Sequence, residues 1–241
     1  MEIMEIIKDA AMYPINNVKA LVIYVALMIV AVLALIFTGV GFIGASEASG
    51  AAAGGLGILG IIGIIIALAI VILIAGYMLD VIKIAVNRED GAPEIDPQRQ
   101  IINGLKYLIM VIVYMIIPVI IMNILLAIND TFGIIVGVIL MIIFIFGLNM
   151  GVCRLAKTES LGYALNIKEA FNDILKVGIV KLLAVLILVA IIGGILNLIA
   201  SAFTNFGDIG IFISAILTAI VSAYVFFFNN RALGLLYSDV E

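Results

Sequence analysis

The chain has 241 residues, 66% of them hydrophobic and only 12% charged, with a mean hydropathy of +1.39; soluble domains carry roughly 45–50% apolar and about 25% charged residues. Nearly uncharged stretches of twenty or more residues recur along its length, and alternating barrel segments are absent. The chain therefore reads as an all-α polytopic membrane protein, because in lipid each backbone N–H and C=O must pair within its own helix. The net charge of −4 gives no reason to expect nucleic acid, and with no histidine and Cys153 as the only thiol, no internal disulfide, metal site or cofactor is expected.

Residues 2–13 put Ile3, Ile6, Ile7 and Ala10 on one helical face and Glu2, Glu5, Lys8 and Asp9 largely on the other, which predicts an amphipathic helix lying on the surface. Pro14, Asn16 and Asn17 are expected to break it. The acidic start argues against a signal peptide. The first span is expected over 18–43, followed by GASEASGAAAGGLG, read as a small-residue loop; no Gly-Lys-Ser/Thr follows, so it is no P-loop. The second span, 58–81, carries Gly57, Gly60 and Gly63, spaced for close helix contact.

After the turn GAPEIDP, a helix over 97–107 leads into the third span, 108–128, where Pro118 is expected to introduce a kink. The fourth, 134–152, holds two pairs of glycines at four-residue spacing, Gly133 with Gly137 and Gly147 with Gly151. A second surface helix is read over 161–176, then the fifth span, 179–200, a loop SAFTNFGDIG, and the sixth, 211–228. Cys153 reads as small-residue packing, with acylation as the alternative. Every basic residue falls with the termini or the second and fourth connections, whereas the other three loops carry only Glu47, Asp130 and Asp208. The positive-inside tendency then predicts a multi-pass protein of the cell membrane with both termini cytoplasmic. The inner face is mixed in sign, so strong binding to anionic lipid is not expected.

An internal repeat is legible. GYMLDVIKIA aligns with GLNMGVCRLA, Gly76 and Lys83 matching Gly147 and Arg154, and Asn103 of the following helix matches Asn172. With the amino-terminal helix and Arg231 as a looser copy, one membrane domain over 1–241 divides into three units of surface helix plus hairpin, roughly 1–88, 94–157 and 161–241.

The segments GYMLDVIKIAVNREDGAPEID with NGLKYL, GVCRLAKTESLGYALNIKEAFNDILK and the closing RALGLLY resemble the domain-of-unknown-function family 4013, multi-pass proteins of archaea and some bacteria. The resemblance implies a helical membrane fold in an archaeal or bacterial cell membrane, and no activity. The acidic turn that often carries tryptophan in that family reads EIDPQ here.

Candidate chemistry is sparse. Asp80 stands three residues before Lys83, which predicts an ion pair at the helix end, with a gate or ion site as the alternative. The amides Asn123, Asn149 and Asn197, and Asn229 with Asn230, are the remaining polar groups; they are expected to hydrogen-bond across helix pairs, or, if two or three converge, to line a solute or headgroup site. No reactive constellation appears, so an enzyme is not expected. The first functional reading is a non-enzymatic scaffold that binds lipid, or a cytoplasmic partner through its amphipathic helices; the alternative is a transporter or channel for a small or apolar solute.

Overall fold

The computed structural model describes residues 1–240. Its helices are α1 (Ile3–Asn16), α2 (Val18–Glu47), α3 (Ala51–Val86), α4 (Pro97–Leu126), α5 (Asp130–Thr158), α6 (Leu161–Ala164), α7 (Ile167–Val177), α8 (Ile179–Ala202) and α9 (Gly207–Tyr237), with a 3-10 turn at Phe203–Phe206. Among the described residues there is no strand. Five segments are long and apolar enough to cross a membrane: α2, α3, α4, α5 and Ile179–Tyr237. The last runs 59 residues, and the 3-10 turn with Gly207 at φ +70 divides it into α8 and α9.

The elements pair as hairpins, α2 with α3, α4 with α5 and α8 with α9, and small residues set the approach. A Cβ added to Gly63 would overlap the Ala34 carbonyl and Thr38 of α2, one at Gly137 would meet Met122 of α4, and one at Gly193 would press on Val225 of α9. The tightest crossing joins α3 to α4, where Gly76 lies against the Gln100 backbone and Gly104 against the Ile72 backbone. Without a water-driven force between spans, such close van der Waals contact is what holds them. Three helices, α3, α5 and α9, run parallel and meet at their carboxy-terminal ends, where Gly234 of α9 sits on Ile82 and Ala85 of α3.

Burial is inverted relative to a water-soluble protein. Large apolar side chains along the helix flanks are exposed, among them Phe37, Ile65, Ile112, Ile135 and Leu198. The fully buried ones, including Ile82, Met110, Tyr114, Leu155, Phe228 and Leu236, gather toward the end where α3, α5 and α9 meet. An apolar belt of this extent is tolerated only in lipid. The chain is membrane-embedded, with a packed polar end.

Several expectations are revised in detail. The glycine-rich stretch expected as a loop is helical except for residues 48–50, because a backbone with no water to bond stays in the helix that satisfies it. The first break falls at Asn17 rather than at Pro14, which is accommodated inside α1. The helix expected over 97–107 and the third span are one continuous helix, α4, opened by the Asp96 side chain accepting from Arg99 N at 3.1 Å and by Pro97 at its first position. The second surface helix is two pieces, α6 and α7, capped by Ser160 and Asn166, and Gly178 at φ +91 turns the chain into α8.

Candidate functional site at the polar end

Three ionic clusters occupy the polar end, each joining the end of a parallel helix to the helix that leads into the next hairpin. On α5, Arg154 Nη1 donates to Asp173 Oδ2 of α7 at 2.7 Å, and both side chains are at most 5% exposed. Arg154 also donates to the Tyr163 carbonyl and stacks over the Tyr163 ring at 4.0 Å, and the Tyr237 hydroxyl donates to the same Asp173 oxygen at 3.0 Å. Burying two charges costs several kcal/mol per ion unless the remaining donors and acceptors are met, and these partners meet them.

On α3, Asp80 receives a bidentate pair from Arg99 of α4 at 2.6 and 3.0 Å, and Gln100 Nε2 at 2.8 Å. The expected Asp80 and Lys83 pair does not form: Lys83 reaches across to Glu159 at 2.7 Å, because Arg99 brings a planar fork that fits a carboxylate better than a single ammonium. The Lys83 hydrogen bond, reinforced by the charge of Arg99, holds the Glu159 carboxyl below its usual range. Glu159 closes α5 with a left-handed backbone at φ 53, and Arg88, just past the end of α3, has φ 59.

On α9, Arg231 is 1% exposed and donates to Asp9 of α1 at 2.8 Å, to Asp90 at 3.0 Å and to the Glu89 carbonyl. It also lies over the Tyr13 ring at 4.8 Å. Burial pushes the Tyr13 hydroxyl up, against the lowering influence of Arg231. A fourth point, Asp239, collects the amino terminus, Arg88 and Lys181 at 2.6–2.9 Å. Burial pushes the Asp239 carboxyl up, but the hydrogen bonds from Lys181 and the amino terminus outweigh it and leave it below its usual range.

One consequence is a fixed loop. Arg231 bonds the carbonyl of Glu89, Asn17 that of Asp90 at 3.3 Å, Tyr13 that of Gly91 at 3.0 Å and Gln100 that of Glu94 at 3.0 Å. Side chains from α9, α1 and α4 thus pin the acidic segment after α3 along its length.

The three asparagines are not brought together. Asn123 is exposed and donates to its own helix at the Val119 carbonyl, 2.8 Å, and Asn197 does the same to Gly193 at 2.9 Å. Asn149 is half-buried on α5. Five clefts lie at the polar end, and none of these is lined by the three asparagines. Cys153 is fully buried with its thiol toward the Leu233 carbonyl at 3.7 Å, so the packing role fits it and acylation does not. Among the described residues no group of side chains is arranged to hold a metal ion.

Sequence reasoning missed the Arg154 and Asp173 pair and the Arg231 cluster. A signal existed: Asp173 shares the apolar stripe of α7 with Ala170, Ile174 and Val177, and Arg231 interrupts an apolar run. A charge on a buried face announces a partner.

Fold and site together define a helical, membrane-embedded protein whose chemistry is gathered at one polar end. The chain belongs to the DUF4013 family, described as a protein of unknown function, whose model matches residues 64–205, more than half of the chain. No curated protein and no solved structure matches it.

Proposed function

We propose that this chain is a non-enzymatic, non-conducting scaffold of an archaeal or bacterial cell membrane, with six spans, both termini cytoplasmic, and a polar end that binds lipid or a cytoplasmic partner. The observation that carries the reading is the separation of the two halves of the molecule. The apolar belt is closed by glycine-mediated contact and its asparagines are spread singly over α4, α5 and α8, two of them bonding their own helix. The charged groups are invested in holding the polar end rigid.

Length supports six spans rather than five. A helix of 59 residues would reach about 88 Å at about 1.5 Å per residue, far beyond a hydrocarbon core of about 30 Å. The turn at Phe203–Phe206 divides it into α8 and α9, each long enough to be a span.

A threefold organisation has support beyond the aligned sequence. The two non-glycine residues with positive φ, Arg88 and Glu159, both lie five residues after the aligned pair Lys83 and Arg154. The helix that opens each unit leans on the second span of the unit before it in cyclic order: α1 on α9, the start of α4 on α3, and α7 on α5. Each of these contacts carries an acid–arginine pair, Asp9 with Arg231, Asp80 with Arg99 and Asp173 with Arg154.

The test is reconstitution into sealed liposomes with solute and ion flux read by entrapped dyes. The scaffold reading expects no flux above protein-free vesicles. Saturable flux that falls on Asn123→Ala or Asn197→Ala overturns it in favour of a transporter.

A further inference from the structure

The polar end contains a cleft of about 360 Å³ between the start of α2, Tyr77 of α3 and the pinned loop, lined by Lys19, Ala20, Ile23, Tyr77, Pro93 and Glu94 among others. We propose that this cleft is a binding site for a phospholipid headgroup that carries both a phosphodiester and a primary ammonium, the phosphate on Lys19 and the Tyr77 hydroxyl and the ammonium on Glu94. The inference rests on the membrane scaffold reading and gives its polar end a ligand class.

Three features converge on that chemistry. First, among the described residues the exposed side chains of Lys19 and Glu94 have no ion-pair or hydrogen-bond partner, whereas Asp80, Arg99, Asp90 and Arg231 are paired. They line one cleft yet stay more than a salt-bridge distance apart, so a cation and an anion face the same space with room between them, the complement of a zwitterion. Secondly, Tyr77 is 2% exposed and its hydroxyl has no hydrogen-bond partner. An orphaned buried donor costs about 1–3 kcal/mol, a deficit that a phosphate oxygen pressing in beside Ala20 and Pro93 removes. Thirdly, the loop wall is held by Tyr13 at Gly91 and by Gln100 at Glu94, so the cleft is formed in advance of any ligand. The exposed Val22 continues from Ile23 into the apolar flank of α2, where an acyl chain would lie.

The preference follows from hydrogen bonding. A primary ammonium donates to the Glu94 carboxylate, a quaternary ammonium has no N–H to give, and a glycerol headgroup leaves Glu94 facing the phosphate with no cation between them.

The experiment titrates the purified full chain in nanodiscs with short-chain phosphatidylethanolamine, phosphatidylcholine and phosphatidylglycerol, and with O-phosphoethanolamine as the soluble headgroup. Retained ligand is counted by native mass spectrometry. The ethanolamine lipid is expected to bind about tenfold more tightly than the other two, the scale of one hydrogen bond to a charged group. Tyr77→Phe and Lys19→Gln weaken every phosphate ligand, whereas Glu94→Gln abolishes the preference without abolishing binding. Tyr77→Phe removes no internal hydrogen bond, so the variant folds and its result is readable. Equal binding of the three lipids, variants that change nothing, or free O-phosphoethanolamine binding as tightly as the lipid would each overturn the proposal. Loss of the lipid preference in a protein that conducts nothing defeats this inference alone; flux defeats the reading beneath it.

Discussion

Arg154 and Asp173 make the clearest case for what single residues do here. Both are buried, and each satisfies the other together with Tyr163 and Tyr237. Asp173→Ala leaves a guanidinium buried without its carboxylate, and the expected loss is about 3–5 kcal/mol. The double replacement of Arg154 and Asp173 by leucine loses less than the sum, as a thermal unfolding cycle in detergent would record. The acids Glu159 and Asp239 give the polar end a pH dependence. Their folded values are depressed, so their contribution is fully present above the ordinary 4.5 of glutamate and 3.8 of aspartate, and it is lost as pH falls through the lower folded values. Lys83→Met is therefore expected to lower the unfolding temperature at neutral pH, with the difference from the parent chain shrinking in acid below those ordinary values. At this scale the sequence was least informative. Asp80 was visible as an unusual charge, but its partner Arg99 stands nineteen residues away across a turn, and spacing along one helix points to Lys83 instead.

Helices and their contacts were far more legible. Hydropathy located every long helix, and the small-residue spacing of Gly60, Gly63, Gly133 and Gly137 marked faces that do meet a neighbour. Two things hid. The glycine- and serine-bearing stretch 44–57 reads as a loop from composition, whereas lipid keeps all of it but residues 48–50 helical. Gly76 and Gly104 form the tightest crossing, and nothing in their own neighbourhood distinguishes them from Gly194, whose added Cβ would meet nothing within 4 Å. Gly76→Ala or Gly104→Ala must push α3 and α4 apart, with an expected cost of about 1–3 kcal/mol. Gly194→Ala is expected to be neutral or to stabilise by up to about 1 kcal/mol through helix propensity. Unfolding of the three variants in one detergent separates packing from propensity.

The whole molecule is an apolar belt capped at one end by a lattice of ion pairs. Contacts gather the amino terminus, the segment after α3, the turn after α5, the start of α8 and Asp239. Glu47, Asp130 and Asp208 sit at the far ends of α2, α5 and α9. One-sided charge was readable from the chain, because lysine and arginine alternate with bare loops. The closing of the polar end into a single surface was not, because it depends on pairs such as Arg231 with Asp9 that lie more than two hundred residues apart. The proposal that this single surface faces the cytoplasm is the central claim, and single-cysteine labelling tests it most directly. In a Cys153→Ala background, cysteines at the exposed positions Glu47, Asp130, Asp208 and Lys168 are probed with an impermeant maleimide, in intact cells and after permeabilisation. The account predicts labelling of the first three in intact cells and of Lys168→Cys only after permeabilisation; labelling of position 168 in intact cells, or a division among the first three, contradicts it.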